Sequence, residues 1–420
     1  MKLAEETFKL IAQDVLAVAP ARAHDLTRLH TLRCRADKPT VTVIGKYNHG
    51  KSRLLNELMG SDVFSVADRR ETVSLAEHVH QDVRWLDAPG LDADVGMADD
   101  GRAHEAAWLQ ADIRLFVHAA KEGELDAAER RLLQTLRADE ERTRRKTVFV
   151  LTQVDQVADE QHLGKVTDAI RSQAPQMTLH PVSSTRHRQG VEGGKKLLLE
   201  KSGIPALQTV LRGAMAAVPD ARRHETDLLL GEIRQELKHA QTAVIRQLQA
   251  QRDTQQQQRH DFEQGLFDVL DKVQIDLQPV LEFTGIDQSL VPDTAVHEFK
   301  LTEGKKERAR IQIAYSRACI AIRGHLVKHG VVGLPLAQQT SVRSLDTVMV
   351  AVMGVSVKYR DDLRRIFCEQ AGRDKLAADF AHYFELSEDR TALATQIVDS
   401  EVALAGADKA VSALHTLEHV

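Results

Sequence analysis

The sequence predicts an α/β domain on a mostly parallel sheet, preceded by a helical segment and followed by a large all-helical region. Three observations predict it. A G-x-x-x-x-G-K-S segment, Gly45 to Ser52, stands between a β-type run at 40–44 and a helical run at 53–59. From about Pro39 to Gly213 short β-rich runs alternate with amphipathic stretches, the pattern of parallel strands joined by helical crossovers. After Pro219 the β runs stop, and apolar residues recur only at helical spacing.

Residues 1–37 form the helical lead-in, with Leu3, Phe8, Ile11, Val15 and Val18 on one side to pack against a neighbouring domain. Residues 38–213 form the α/β domain. Strands are expected at 40–44, 83–86, 113–117, 148–151 and 179–182, and helices at 103–109, 127–136 and 163–170. Residues 214–420 form the helical domain, with long helices over 220–280. Leu230, Ile233, Leu237, Val244 and Leu248 start an apolar stripe that Phe262, Leu266, Leu270, Val273 and Leu277 resume. The glutamine-rich stretch 249–260 between them fits one long helix with a solvated arm or two helices with an exposed connection. Pro279, Gly285 and Pro292 end this section, and Gly330, Gly333 and Pro335 end a later helix.

At 420 residues and 43% hydrophobic content the chain buries sizeable cores and is not disordered. A net charge of -5 supplies no global attraction to nucleic acid. Three scattered cysteines, Cys34, Cys319 and Cys368, fit neither a disulfide framework nor a zinc site, so a reducing cytoplasm is expected. The first residues carry Glu5 and Glu6 where a secretory signal is basic and then apolar. The apolar run at 347–357 is shorter than the ~20 residues of a spanning helix. Membrane contact, where there is any, is therefore expected to be peripheral, at an inner membrane face.

The glycine-rich segment is a phosphate loop. Gly45 and Gly50 let the backbone curl so that its N–H groups and the helix N-terminus meet phosphate oxygens, with Tyr47, Asn48, His49 and Arg53 around the cradle. Lys51 supplies positive charge to the β- and γ-phosphates, and Ser52 a hydroxyl to Mg²⁺. Asp87-Ala88-Pro89-Gly90 follows a strand; Asp87 reaches Mg²⁺ through water and the Gly90 N–H meets the γ-phosphate. Between the two elements Thr72 is the only threonine, in a loop expected to close over Mg²⁺ and the γ-phosphate. Leu151-Thr152-Gln153-Val154-Asp155 ends another strand. Its Asp155 is suited to accept two guanine protons that adenine does not offer.

Together these residues resemble the translation-factor-related class of P-loop GTPases, most closely its dynamin-like and Era- or MnmE-like branches. The likeness covers about residues 38–212 and is carried by the phosphate loop with Leu54-Leu55-Asn56, by Asp87-Ala88-Pro89-Gly90-Leu91 and by Thr152-Gln153-Val154-Asp155. It implies GTP hydrolysis to GDP and phosphate with Mg²⁺. Gln153 stands where these proteins usually carry lysine, and Ser183 and Ser184 match the loop that meets the guanine oxygen. Leu91 stands where Ras-like enzymes place the water-orienting glutamine. In the potassium-activated members an asparagine matching Asn48 ligates K⁺, which makes Asn48 a catalytic candidate beside Lys51, Thr72 and Gly90. Asn48 as a simple brace of the loop, and Arg69 and Arg70 as arginine fingers or as solvated charges, stay open.

From Arg308 to Leu345 there is no Asp or Glu, while Arg308, Arg310, Arg317, Arg323, Lys328 and Arg343 surround Ile311, Ala314, Ala318, Ile322 and Leu326. This basic amphipathic stretch, within the basic-to-apolar region 308–367, suits an anionic membrane surface or a core helix paired with acids. The helical region thus suggests self-association or peripheral membrane contact in a switch or mechanoenzyme. The alternatives are a docked protein partner or a ribosome or RNA assembly role, the last without a strong nucleic-acid signal.

Overall fold

The computed structural model describes residues 2–34, 38–65, 75–88, 105–282, 284–292 and 300–419. The chain divides into two compact units, Met1–His239 with Asp408–Val420, and Ala240–Ala407.

The first unit opens with helices α1 (Lys2–Val18) and α2 (Ala23–Cys34). Strands β1 (Thr40–Ile44), β2 (Ala76–His80), β3 (Val83–Asp87), β4 (Ile113–Ala119), β5 (Lys146–Thr152) and β6 (Leu179–Pro181) form one sheet in the order β2-β3-β1-β4-β5-β6. Only β2 is antiparallel. It is an added edge strand that the expected set did not contain. Helices α3 (Lys51–Met59), α4 (Ala127–Thr143), α5 (Glu160–Gln173), α6 (Ser184–Glu192) and α7 (Lys196–Lys201) connect the strands or follow the last of them.

The central strands are buried on both faces, so their side chains feed two cores with period two. Val41, Val43, Leu115, Val117, Val148 and Val150 meet Leu54 and Leu55 of α3 on one face. Ile44, Phe116, Phe149 and Leu151 meet Leu133 and Leu136 of α4 and Ile170 of α5 on the other. This clamp leaves the C-terminal ends of β1, β3, β5 and β6 together at one edge, where a parallel sheet of this kind offers its crevice.

Two long helices complete this unit and run on into the second: α8 (Ile204–Leu281), and the last helix, Glu388–His419. Leu229, Leu230, Ile233 and Leu237 of α8 and Ala410, Leu414 and Leu417 of the last helix bury Ile11, Val15, Leu26 and Leu29 of the N-terminal helices. Beneath them Arg28 makes a two-pronged buried pair with Glu225 at 2.8 and 2.9 Å. Arg222 holds Asp112, which also accepts from the Thr40 N–H at 2.7 Å.

In the second unit α8 continues without a break through the glutamine-rich stretch, where Gln249–Asp253 and Gln257–Asp261 bonds at 3.0 and 2.8 Å give it i,i+4 support. The single-helix alternative is the one adopted. It is followed by α9 (Glu303–Lys328), α10 (Val348–Met353), α11 (Arg360–Phe367), α12 (Gln370–Glu385) and α13 (Glu388–His419). Phe262, Leu266 and Leu270 pack with Ile311, Tyr315, Ala318, Ile322 and Leu326 of α9 and with Phe367, Phe380 and Phe384. The apolar stripe of the basic stretch is therefore core, while Arg310 pairs with Glu307 of its own helix. No described helix is long and apolar enough to cross a membrane.

Candidate nucleotide site

β1 ends at Ile44 and the chain turns sharply. A side chain at Gly45 would collide with the carbonyl oxygen of Val117 on β4, so only glycine lets the loop leave the sheet here. Asn48 (φ 59°) and Gly50 (φ 78°) take left-handed conformations, which asparagine and glycine tolerate best. α3 starts at Lys51 with no side-chain cap at Gly50, so its first N–H groups have the orientation that suits an anion. Lys51 is buried, and its Nζ donates to the Lys46 carbonyl across the loop at 2.8 Å. Tyr47 and Arg53 are half-buried at its two ends, and Asn48 is exposed.

Asp87 ends β3, in register with Val43 of β1. The Ser52 hydroxyl donates to Asp87 Oδ2 at 2.5 Å, while the buried Oδ1 lacks a partner among the described residues. Burial pushes the Asp87 carboxyl up from its ordinary value, against the opposing pull of Ser52 and Lys51. A hydroxyl and a carboxylate with an unused oxygen at one point form a hard oxygen set, which fits Mg²⁺. Thr72, Gly90, Leu91, Arg69 and Arg70 lie outside the described residues.

Strand β5 delivers the opposite wall. Thr152 Oγ1 lies 2.6 Å from the His49 carbonyl and 3.2 Å from that of His118. Gln153, with φ 56°, donates through Nε2 to the Asn48 carbonyl at 2.8 Å. Asp155 follows, half-buried, in a single turn, Val154–Gln156. Ser183 is buried and its hydroxyl accepts the Arg186 N–H at 3.0 Å as the cap of α6, whose first residue is Ser184. The fold thus brings residues 45–53, 87, 152–155 and 183–184 to one edge of the sheet.

His49 turns its ring into the protein. Its ring is buried, with Nδ1 3.3 Å from the Val117 carbonyl and edge-on to His118 at 5.1 Å. Burial, reinforced by His118, lowers its pKa to about 4, so the ring is neutral near pH 7. Only its backbone borders the phosphate loop. His118 in turn lies 3.0 Å from the Gly123 carbonyl through Nε2 and 2.8 Å from Glu129 through Nδ1. Both neighbours are acceptors, so a proton must lie between His118 and Glu129. Sequence reasoning missed this bracket; its one visible signal was Asp126-x-x-Glu129, a capping box that the structure forms, with Lys46 of the loop paired to Asp126.

Residues 40–153 match a family described as 50S ribosome-binding GTPases. The chain carries a P-loop GTPase domain. The match spans β1 to the end of β5, so the family supplies the fold of the nucleotide edge. An uncharacterized protein of Acinetobacter baylyi is similar to this GTPase at 54% identity over 386 residues, covering 91% of both chains. GTPase Era of Bordetella petrii is 26% identical over 155 residues, 36% of this chain and 51% of Era. GTPase Der of Clostridium perfringens is 29% identical over 133 residues, 30% of this chain and 29% of Der. The GTPase therefore spans about half the length of that Era and less than a third of that Der. Its helical unit lies beyond the residues that the family match covers.

Proposed function

We propose that the chain is a slow, Mg²⁺-dependent GTP switch whose helical unit carries the output. The observation that carries this reading is the Ser52–Asp87 contact, whose buried second carboxylate oxygen has no partner among the described residues. In this reading Gly45, Tyr47, Asn48, His49 through its backbone, Gly50, Lys51 and Arg53 cradle the phosphates. Ser52, Thr72 and, through water, Asp87 hold Mg²⁺, and the Gly90 N–H meets the γ-phosphate. Thr152, Gln153, Asp155, Ser183 and Ser184 form the guanine side. Mg²⁺ neutralises charge on the β- and γ-phosphates when bound.

Asn48 is the proposed ligand of a K⁺ ion that adds positive charge beside the bond to be broken, in place of a catalytic glutamine. Its exposed, left-handed position in the loop supports this reading. For the helical unit we take peripheral membrane contact, dynamin-like in organisation, ahead of self-association or a docked protein. The family description favours a ribosomal role as the second reading, and the net charge of -5 weighs against it.

GTP turnover measured in potassium and in sodium buffers tests the chemistry, together with Asp155→Asn assayed on GTP and XTP. Faster turnover in potassium and a shift of preference towards XTP are expected. Equal rates in the two salts remove the cation role, and unchanged GTP affinity in Asp155→Asn removes the base assignment.

A further inference from the structure

Helix α9 has two apolar faces. One, from Ile311 to Leu326, is buried in the core of its unit. The other carries Ile313, Ile320 and Val327, which are 54%, 70% and 52% exposed. Spaced by seven residues, they fall within about 40° of arc on a helix of 100° per residue and extend over about 21 Å. On the same projection Arg310, Arg317 and Lys328 line one edge of the stripe, about 40–60° from Ile313, and Arg323 lines the other. The loop that follows adds exposed Val332, Leu336, Val342 and Leu345 beside Arg343. Asp346 orders this loop by accepting from the Thr340 N–H at 2.8 Å and hydroxyl at 2.9 Å, and its backbone carbonyl accepts from the Leu334 N–H.

The chemistry of the occupant follows from charge. Between residues 308 and 345 every charged side chain is basic, so a second copy laid along the same stripe would set cation against cation. The exposed aliphatics are spread over a helix face and a loop, and basic stems border them. A fluid anionic surface accepts this arrangement: aliphatic side chains enter the acyl boundary, and the Arg and Lys heads stay at the phosphate level.

We propose that the Ile313–Ile320–Val327 face of α9, with its basic borders, is the surface through which this GTPase lies on an anionic lipid bilayer. This rests on the reading of the helical unit as membrane-facing and assigns that role to particular residues. The stripe is the reverse of the one that sequence periodicity singles out, because the periodic stripe is spent on the core.

The test is co-sedimentation of the full chain with mixed phosphatidylcholine–phosphatidylglycerol vesicles and with pure phosphatidylcholine vesicles. Binding to the anionic vesicles alone, weakened by salt, is expected. The double variant Ile313→Glu with Ile320→Glu should lose about tenfold or more of that binding, and Arg317→Glu at least about fivefold. Ile275→Glu, on an exposed position of α8, should bind like the parent chain. Unchanged thermal midpoints and GTP turnover verify that the variants fold. Parent-like binding by the double variant overturns the assignment of this face and leaves the membrane reading standing. No binding of the parent chain overturns both, and equal binding to neutral vesicles overturns the assignment of an anionic surface.

Discussion

The side-chain amide of Gln153 donates to the backbone carbonyl of Asn48 at 2.8 Å, tying the end of β5 to the middle of the phosphate loop. Asn48 and Gln153 both sit at positive φ, so this bond joins two strained points of the chain. The residue that departs from the usual lysine still spans the gap with an N–H donor.

Gln153→Ala should therefore lower GTP affinity by about three- to tenfold, the worth of one hydrogen bond. Gln153→Lys should keep or raise it. Nucleotide titration by fluorescence checks both, and an unaffected Gln153→Ala would mean that the loop holds its shape unaided.

Ser52→Ala removes the donor to Asp87 and one hard oxygen. GTP affinity should fall by about tenfold or more in magnesium and change little in a chelator. Isothermal titration under both conditions measures the difference, and an equal loss in each would point to a packing role instead.

Glu225 lies buried between Arg28 at 2.8 Å and Arg145 at 3.3 Å. Arg28→Ala leaves this carboxylate short of a partner and should cost about 3–5 kcal/mol, since a broken buried pair is expensive. The paired change Arg28→Met with Glu225→Met should cost less than the single one. Urea unfolding of the three proteins decides the order.

Burial holds His325 below the ordinary imidazole pKa, against the upward pull of its hydrogen bond to the Phe262 carbonyl. The unfolded chain then takes up more protons than the native one as pH falls below the ordinary value of 6.5. Stability of the second unit is full above that value and is lost as the medium is acidified. Hydrogen exchange of its amides between about pH 7.5 and about pH 5.5 should show this slope, and His325→Gln should flatten it.

Much of this was legible in the sequence. The phosphate loop, the Asp87 strand end and the parallel strands follow from local patterns that the packing then satisfies. β2 was hidden because Ala76-Glu77-His78-Val79-His80 is short and polar, and its hairpin turns through Gln81 and Asp82, both at positive φ, without the usual Asn-Gly signal. The continuity of α8 was obscured by Pro219, which it absorbs internally, and by glutamines whose side chains bond along the helix. His49 and the exposed face of α9 depend on neighbours distant in sequence. The seven-residue spacing of Ile313, Ile320 and Val327 is visible in the sequence, but which face of α9 the core leaves uncovered is not.

Leu26 and Leu29 share a core with Leu414 and Leu417. During translation the N-terminal helices leave the ribosome long before their partners are made, and such distant closure is slow. Their cover comes in two stages, first from Leu229, Leu230, Ile233 and Leu237 of α8 and later from Ala410, Leu414 and Leu417, so a truncation before Ala410 would leave the second stage unmade.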